Sequence, residues 1–357
     1  MSEHIRILGA GPAGLTAAIN LSKAGYSVEV YERQSDVGVR FHNDIEGLEN
    51  WSKKIDVLKE FSEMNLDINF DHAPVTSLIG VAPDSKQYEI KTSKTMMHLV
   101  RRGAMGGTLD HGLKEQALSY GVRIRFNQHM NKRDADIIAT GHVHGRIAAI
   151  AKGITFNTSH PPANLVIFDD DLAYKGYSYL FIVDGHGTLA TVLFSRFGEI
   201  GAQFKLAISK IMNVSGLENI YDVKPFGGVG HFSNSCAFSN NGRVYIGEAA
   251  GLQDLLWGFG MRTAVVSGYL AAKAIIEGED YSVRAKEHFE DYLRNGIVNR
   301  YLFSMLGNQL YPYLIKVLSS VDKPEAVMKE VYTYRFYKKC LYPITKRFVK
   351  QSYPWLV

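Results

Sequence analysis

Residues 5–31 constrain the fold of this chain more than any other stretch. Ile5–Gly9, read "IRILG", is a short apolar run of the kind buried in a sheet. Gly9-Ala10-Gly11-Pro12-Ala13-Gly14 follows, and residues 12–24, "PAGLTAAINLSKA", carry helical spacing with Leu15, Ala18, Ile19 and Leu21 along one side. Gly25 ends that helix and "YSVEVY" from Tyr26 reads as a second strand. Strand, glycine turn, helix and strand make a minimal βαβ unit, the context in which a Gly-x-Gly-x-x-Gly pattern signals a dinucleotide. Gly9 permits the tight turn, Gly11 lets the backbone approach a pyrophosphate, and Gly14 allows close helix–strand packing. The helix N-terminus presents free N–H groups and a partial positive charge to the phosphates. Glu32 closes the second strand 18 residues after Gly14, where an acid accepts hydrogen bonds from ribose hydroxyls. A carboxylate there repels a 2′-phosphate, which excludes NADP for this adenosine site. The pattern by itself does not separate NAD from FAD.

Size and composition frame that unit. A chain of 357 residues fits two interleaved domains, or one domain with a sizeable insertion. Its apolar content of 46% supplies a core, and 21% charged residues argues against global disorder. A net charge of +4 is too mild to argue for nucleic acid. Cys236 and Cys340 share no close spacing and suggest neither a disulfide framework nor a zinc site, as expected in a reducing compartment. "MSEHIRILGAG" enters a strand within a few residues, without the basic region and apolar run of a signal peptide. No segment reaches the roughly 18 apolar residues of a spanning helix. The expectation is a cytoplasmic protein, soluble or peripheral on a membrane. No period of repeat length is visible.

Further along, residues 34–95 are mixed. "HGLKEQALSYG" from His111 reads as a helix closed by Gly121, "VRIRF" as a strand, and "ADIIATG" from Ala135 as a short buried strand ending at Gly141. From Asn164 longer strands take over in "NLVIF", "GYSYLFIV" and "GTLATVLF", the last two joined by a hairpin at Asp184-Gly185-His186-Gly187. "GRVYIG" from Gly242 is a buried strand, "MRTAVVSGYLAAKAIIEG" from Met261 a helix capped by Gly278, and the last seventy or so residues are helical, rich in tyrosine and phenylalanine.

A second motif, "YIGEAAGLQDLLWGFGMR" from Tyr245, ends a strand-like run on Gly247 and Glu248 and sets Trp257 and Phe259 among Gly258 and Gly260. Together with Gly9–Arg33 it resembles the two FAD motifs of flavoproteins with the p-hydroxybenzoate hydroxylase type of fold. Within that group the chain is most similar to the geranylgeranyl reductase family. "GYSYLFIVDGHGTLATVLF" from Gly176 resembles that family's aromatic strand and hairpin, and "KPFGGVG" from Lys224 its Pro-x-Gly-Gly strand.

The resemblance implies an α/β fold: a Rossmann-type FAD-binding domain with an inserted β-rich substrate domain and a helical C-terminal region. The divisions expected are 1–70, 96–150 and 240–284 for the discontinuous FAD-binding domain, 71–95 and 151–239 for the substrate domain, and 285–357 for the C-terminal region. It implies that Gly9, Gly11, Pro12, Ala13 and Gly14 hold the pyrophosphate and that Glu32 and Arg33 stand at the adenosine ribose. Arg101 or Arg102 matches an arginine that contacts FAD. Gly141 matches the glycine of the strand returning to the cofactor. Gly247 and Glu248 match the Gly-Asp pair at the ribityl chain, with Glu248 one methylene longer. Gly258, Gly260 and Met261 match backbone facing the isoalloxazine ring. The family's cysteine-bearing segment appears as "RFHNDIEG" from Arg40, without a cysteine.

The implied activity is flavin-dependent reduction of a carbon–carbon double bond in a prenyl lipid. An isoprenoid alkene has no polar handle, so its pocket is expected to be an apolar channel. Tyr177, Tyr179 and Phe181, alternating onto one strand face, and Trp257 and Phe259, between glycines, are the candidates for its lining; core packing is the competing role for the strand aromatics. The alternatives are a flavin monooxygenase of an aromatic substrate and a flavin-binding protein without net redox turnover. A reductase needs an electron donor such as NADPH or ferredoxin. No catalytic acid–base pair declares itself. His142 and His144 lack a third metal ligand nearby, "FDDDL" at 168–172 reads as a charged turn, and Cys236 reads as a loop cysteine. From Tyr332 to Val357 there are six Lys or Arg, no Asp or Glu and eight aromatics. That composition suits the headgroup region of an anionic membrane; the other reading is a packed helical cap with a basic outer face.

Overall fold

The structure is a computed structural model that describes residues 3–142, 146–233 and 238–354. The chain opens with β1 (His4–Leu8), α1 (Pro12–Lys23) and β2 (Ser27–Tyr31). It continues through β3 (Ile45–Glu49), α2 (Val57–Glu63), β4 (His72–Val75), β5 (Ser77–Val81), β6 (Gln87–Lys91), β7 (Met97–Arg101), α3 (Leu109–Ser119), β8 (Arg123–Arg125) and β9 (Ile137–Ile138). Then come β10 (Ala149–Thr158), β11 (Ala163–Ile167), β12 (Tyr177–Val183), β13 (His186–Leu193), α4 (Ile200–Ser215) and β14 (Ile220–Gly230). β15 (Ser239–Asn240), β16 (Arg243–Tyr245) and α5 (Met261–Glu277) precede four helices, α6 (Tyr281–Ser304), α7 (Tyr311–Ser320), α8 (Pro324–Val331) and α9 (Phe336–Ser352).

The βαβ unit forms as its pattern requires. β1 pairs in parallel with β2 on one side and β9 on the other, inside a sheet ordered β15-β16-β9-β1-β2-β8. Ile5 and Ile7, on one face of the central strand, are buried, while Arg6 and Leu8 on the other are half-buried. α1 approaches closely because its contact residues are small. A Cβ added at Gly14 would overlap the Gly9 carbonyl, and one at Gly268 of α5 would overlap the carbonyl of Ala13. This is an α/β fold with a parallel, Rossmann-like sheet.

A seven-stranded sheet, ordered β14-β10-β13-β12-β11-β5-β6, is antiparallel except where β11 meets β5. The β12–β13 hairpin turns on Asp184 and Gly185 alone, both at positive φ, with Val183 opposite His186. That is the two-residue turn whose twist suits a hairpin, and it favours Asp-Gly. Alternation along β12 sends Leu180 and Ile182 into a core beneath α4, and Tyr179 and Phe181 into a second apolar cluster on the opposite face. α4 is an element the strand-based reading did not anticipate. A third sheet, β3-β7-β4, closes over that second cluster. β4 pairs with β7 and not with β5 or β6, so residues 72–75 group with the three-stranded sheet, apart from the strands expected to accompany them. The C-terminal region is helical, with α9 packed on α6. Among the described residues no helix is long and apolar enough to cross a membrane.

Candidate functional site

A cavity of about 1470 Å³ runs between these layers. Its wall begins at Gly9–Ala13 and Glu32–Gln34, passes Asp44, Glu46 and Gly258–Met261, and ends among Leu302, Leu314, Leu318 and Tyr337. The first end is polar. α1 starts at Gly11 with no side-chain cap and with Pro12 at its first position, so its opening N–H groups are left to whatever occupies the cavity. A Cβ placed on Gly11 would meet nothing within 4 Å. The Glu32 carboxylate lies over the turn, accepting from the Ala10 amide at 2.9 Å and the Gln34 amide at 3.0 Å. Arg33 is exposed at the rim.

α5 supplies a second helix N-terminus. Gly260 is its N-cap, again without a side-chain cap, and Gly260 and Met261 face the same cavity. Arg262 anchors the helix from behind. Its buried guanidinium donates to Glu60 at 2.6 Å and sits 3.6 Å from Glu49, tying α5 to α2 and β3. The preceding loop is held by buried Asp254, whose carboxylate accepts from the amides of Leu256 (3.1 Å) and Trp257 (2.7 Å) and from the Tyr332 hydroxyl (2.8 Å). Burial pushes the Asp254 carboxyl up to about 6 against those hydrogen bonds. Tyr177 donates its hydroxyl to the Trp257 carbonyl at 2.6 Å, fixing the loop to β12.

Glu248 sits in a short 3-10 turn, Gly247–Ala250, and not at the end of a strand. Its Oε1 accepts the His231 amide at 2.8 Å. Burial raises its pKa, opposed by the charge of Arg40 and the His231 amide. Gly141, at φ +76°, lies beside Glu248 in the cavity wall, where a Cβ would stand 3.8 Å from Glu248 Oε2.

Several expected contacts differ. Of the two arginines, Arg102 is in the cavity wall, while Arg101 pairs with Asp71 away from it. Adjacent strand residues point to opposite faces, so only one of the pair can enter. Arg102 is buried, donating to both oxygens of Asp110 at 2.8 and 2.9 Å and to Glu46 at 3.2 Å. Gly14 lies outside the wall and serves helix–strand packing. Gly247 also lies outside it, at φ +58°, packed against Ala13. Ala249, Ala250 and Gly251 lie outside it too, and Gly251 packs against Ser233. His144 and Cys236 fall outside the described residues. The "FDDDL" turn is more than a solvated loop: Asp169 pairs with Lys210 at 2.7 Å and Asp170 with Lys175 at 2.8 Å.

The far arm is apolar. Tyr177, Tyr179 and Phe181 form a row with ring centroids 6.1 and 4.9 Å apart, and Trp257 meets Tyr177 edge-on at 5.8 Å. Phe259 meets Trp51 edge-on at 5.0 Å. All six line the cavity while also belonging to the apolar cluster, so the strand aromatics serve core and cavity together.

Asp44 is a wall residue that the sequence reading missed. It is 1% exposed; its Oδ1 accepts the His42 amide at 2.7 Å and its Oδ2 has no partner among the described residues. Burial pushes its carboxyl up to about 7, reinforced by the neighbouring charge of Glu46. The signal available was the spacing of Asp44 and Glu46, two apart where the chain enters β3, which favours one face for both.

These residues fit FAD. Two uncapped helix N-termini open on one elongated cavity, a carboxylate stands by the glycine turn, and an apolar arm continues beyond Gly258–Met261.

Comparison with known proteins agrees. A family profile for an NAD(P)-binding Rossmann-like domain matches residues 7–50. The digeranylgeranylglycerophospholipid reductase of Thermoplasma acidophilum is 25% identical over 92% of this chain and 95% of its own length. A flavin-containing monooxygenase of Arabidopsis thaliana is 54% identical over 37 residues, only 10% of this chain and 8% of that protein. The crystal structure of a geranylgeranyl bacteriochlorophyll reductase-like protein from Thermoplasma acidophilum superposes with a TM-score of 0.70 at 20% identity, covering 99% of this chain and 98% of that one. The chain thus has a Rossmann-like dinucleotide-binding fold whose residues fit FAD, and it resembles the geranylgeranyl reductases over nearly its whole length.

Proposed function

We propose that this protein reduces carbon–carbon double bonds of a geranylgeranyl-type prenyl lipid. The observation that carries the proposal is the continuity of the cavity, from a phosphate-suited polar end to an aromatic-lined apolar arm. Bound and reduced, FAD supplies hydride to the alkene. The protein's part is to hold, orient and exclude water. In this reading Gly9, Gly11, Pro12, Ala13 and the first turn of α1 cradle the pyrophosphate, while Glu32 and Arg33 flank the adenosine ribose. Glu248 and Gly141 face the ribityl chain. Arg102 acts through Asp110 and Glu46 to set the wall beside them. Gly258, Gly260 and Met261, at and just before the N-terminus of α5, would face the ring, where negative charge gathers on reduction. Tyr177, Tyr179, Phe181, Trp257 and Phe259 line the chain of the substrate.

The lipid reading extends to the surface. On α9, Phe336, Cys340, Ile344 and Phe348 recur every four residues and all are exposed, Phe336 at 80%. Arg335, Lys339, Arg347 and Lys350 flank them, also exposed, while Thr345, Val349 and Tyr353 face the core. The cap is therefore packed on one side and both apolar and basic on the other, the pattern of a helix lying in an anionic membrane surface. Tyr337 joins that surface to the cavity rim. We propose peripheral contact there, on the cytoplasmic side, with an electron donor such as NADPH or ferredoxin completing turnover.

The test is anaerobic. The FAD-loaded protein is reduced chemically and mixed with a digeranylgeranyl glycerophospholipid in detergent. Flavin reoxidation without oxygen and a lipid heavier by two hydrogens per turnover are expected. No reoxidation, together with phenol-stimulated NADPH oxidation that consumes oxygen, overturns the reading in favour of a monooxygenase.

A further inference from the structure

An isoprenoid double bond is not polarised, so hydride does not add to it unaided. A proton must reach one carbon so that positive charge develops on the other. The cavity wall has to offer an acid that is neutral at working pH, away from bulk water, and near the aromatic row. We infer that Asp44 is that proton donor; the inference rests on the reductase reading above.

Three carboxylates share this part of the molecule, and one arginine divides them. Arg102 donates to both oxygens of Asp110 and to one of Glu46, so its guanidinium is taken up by those two carboxylates. Among the described residues no cation pairs with Asp44. The His42 amide donates to its Oδ1, and its Oδ2 is buried without a partner among those residues. A buried unpaired carboxylate is costly, whereas a neutral carboxyl is tolerated, so this environment favours the protonated form. The groups around it push the same way or stay neutral. Glu46, two residues on, adds like charge; Arg102 only partly offsets it. On β12 the phenol of Tyr179 is held neutral, its pKa raised well above the ordinary value by burial and by the carboxylates, Asp44 among them. On β13 His186 donates its Nε2–H to the Asn43 carbonyl (2.9 Å), and burial lowers its pKa, keeping it uncharged near neutrality.

Asp44 stands on the cavity wall with Tyr177, Tyr179 and Phe181. Their ring faces stabilise positive charge, as aromatic faces do for cations generally. The step balances as follows. The O–H bond of Asp44 breaks and its proton adds to the less substituted alkene carbon. Hydride from reduced FAD adds to the more substituted carbon, leaving an alkane, oxidised flavin and the Asp44 carboxylate. A proton from solvent restores the acid.

The experiment compares the FAD-loaded wild type with Asp44→Asn in anaerobic single turnover with the same glycerophospholipid probe, from pH 5 to 9. In the wild type, flavin reoxidation should slow about tenfold per pH unit above about 7. In Asp44→Asn it should be roughly 10²–10⁴-fold slower, with that inflection gone and FAD affinity unchanged. Infrared titration of the oxidised FAD-loaded protein gives a reading independent of turnover: a carboxylic-acid C=O band that disappears with a midpoint near 7 in the wild type and is missing in Asp44→Asn. Absence of that band, or an Asp44→Asn variant with wild-type rate and pH profile, overturns the inference while leaving the reductase reading intact. A wild type that the lipid fails to reoxidise removes the reductase reading, and this inference with it.

Discussion

Single carboxylates do different work here because their surroundings differ. Glu32 accepts two backbone amides at the turn, Glu46 and Asp110 share Arg102, Glu248 is raised by burial, and Asp44 forms no ion pair among the described residues. Glu248 is the acid whose loss should be read in cofactor retention. A hydrogen bond involving a charged group is worth roughly 1.5–3 kcal/mol, so Glu248→Ala should raise the Kd for FAD by about 10- to 100-fold, measured by fluorescence titration. For Asp44 the sign of the stability effect follows from its raised pKa. Stability from the neutral form is complete below the unfolded value of about 3.8 and is lost as pH rises through about 7. Asp44→Asn keeps the Oδ1 acceptor and removes the buried charge. It should therefore stabilise the protein at pH 8, by about 4 kcal/mol at most, and by less than half of that at pH 5, as read from urea unfolding at both pH values.

At the scale of elements, α5 and the loop before it decide the site. α5 is positioned from behind by Arg262, shared between Glu60 and Glu49 in a buried cluster. Removing one partner of such a cluster leaves uncompensated charge. Arg262→Ala should cost about 3–5 kcal/mol in urea unfolding and release FAD as α5 shifts. The loop is held by Asp254 and Tyr177 to elements distant in sequence. Tyr177→Phe should cost about 1 kcal/mol and alter Trp257 fluorescence before it alters FAD binding. The elements that were readable in advance are those whose signals are local. α1 and α5 carry helical periodicity with terminal glycines, and the β12–β13 hairpin carries Asp184-Gly185 at its turn. β3, β4 and β7 were not readable, because short strands with mixed burial reveal themselves only by pairing.

For the whole molecule, the main relation is between the cavity and the surface it reaches. Packing α9 on α6 buries Lys338, which donates to Asn295 at 2.9 Å and to carbonyls ending α8, so one of the six basic tail residues is structural. The remaining exposed cations frame the apolar stripe. Basic residues near an anionic membrane contribute about 1 kcal/mol each. Replacing Lys339, Arg347 and Lys350 by glutamine should weaken binding to phosphatidylserine vesicles by about 100-fold and leave FAD content unchanged. Equal flotation of variant and wild type would remove α9 as the contact.

The sequence by itself determined the dinucleotide turn, the βαβ unit, the helix opened by Gly260 and the aromatic alternation of β12. Each of these is written in residues close along the chain, as φ requirements, periodicity and caps. Only the tertiary structure decided between Arg101 and Arg102, withdrew Gly14 and Gly247 from the wall, and isolated Asp44 from the one arginine its neighbours share. Those outcomes depend on burial and on which charges meet across β3, β7 and α3. Desolvation and pairing are properties of the packed molecule, and no spacing along the chain encodes them.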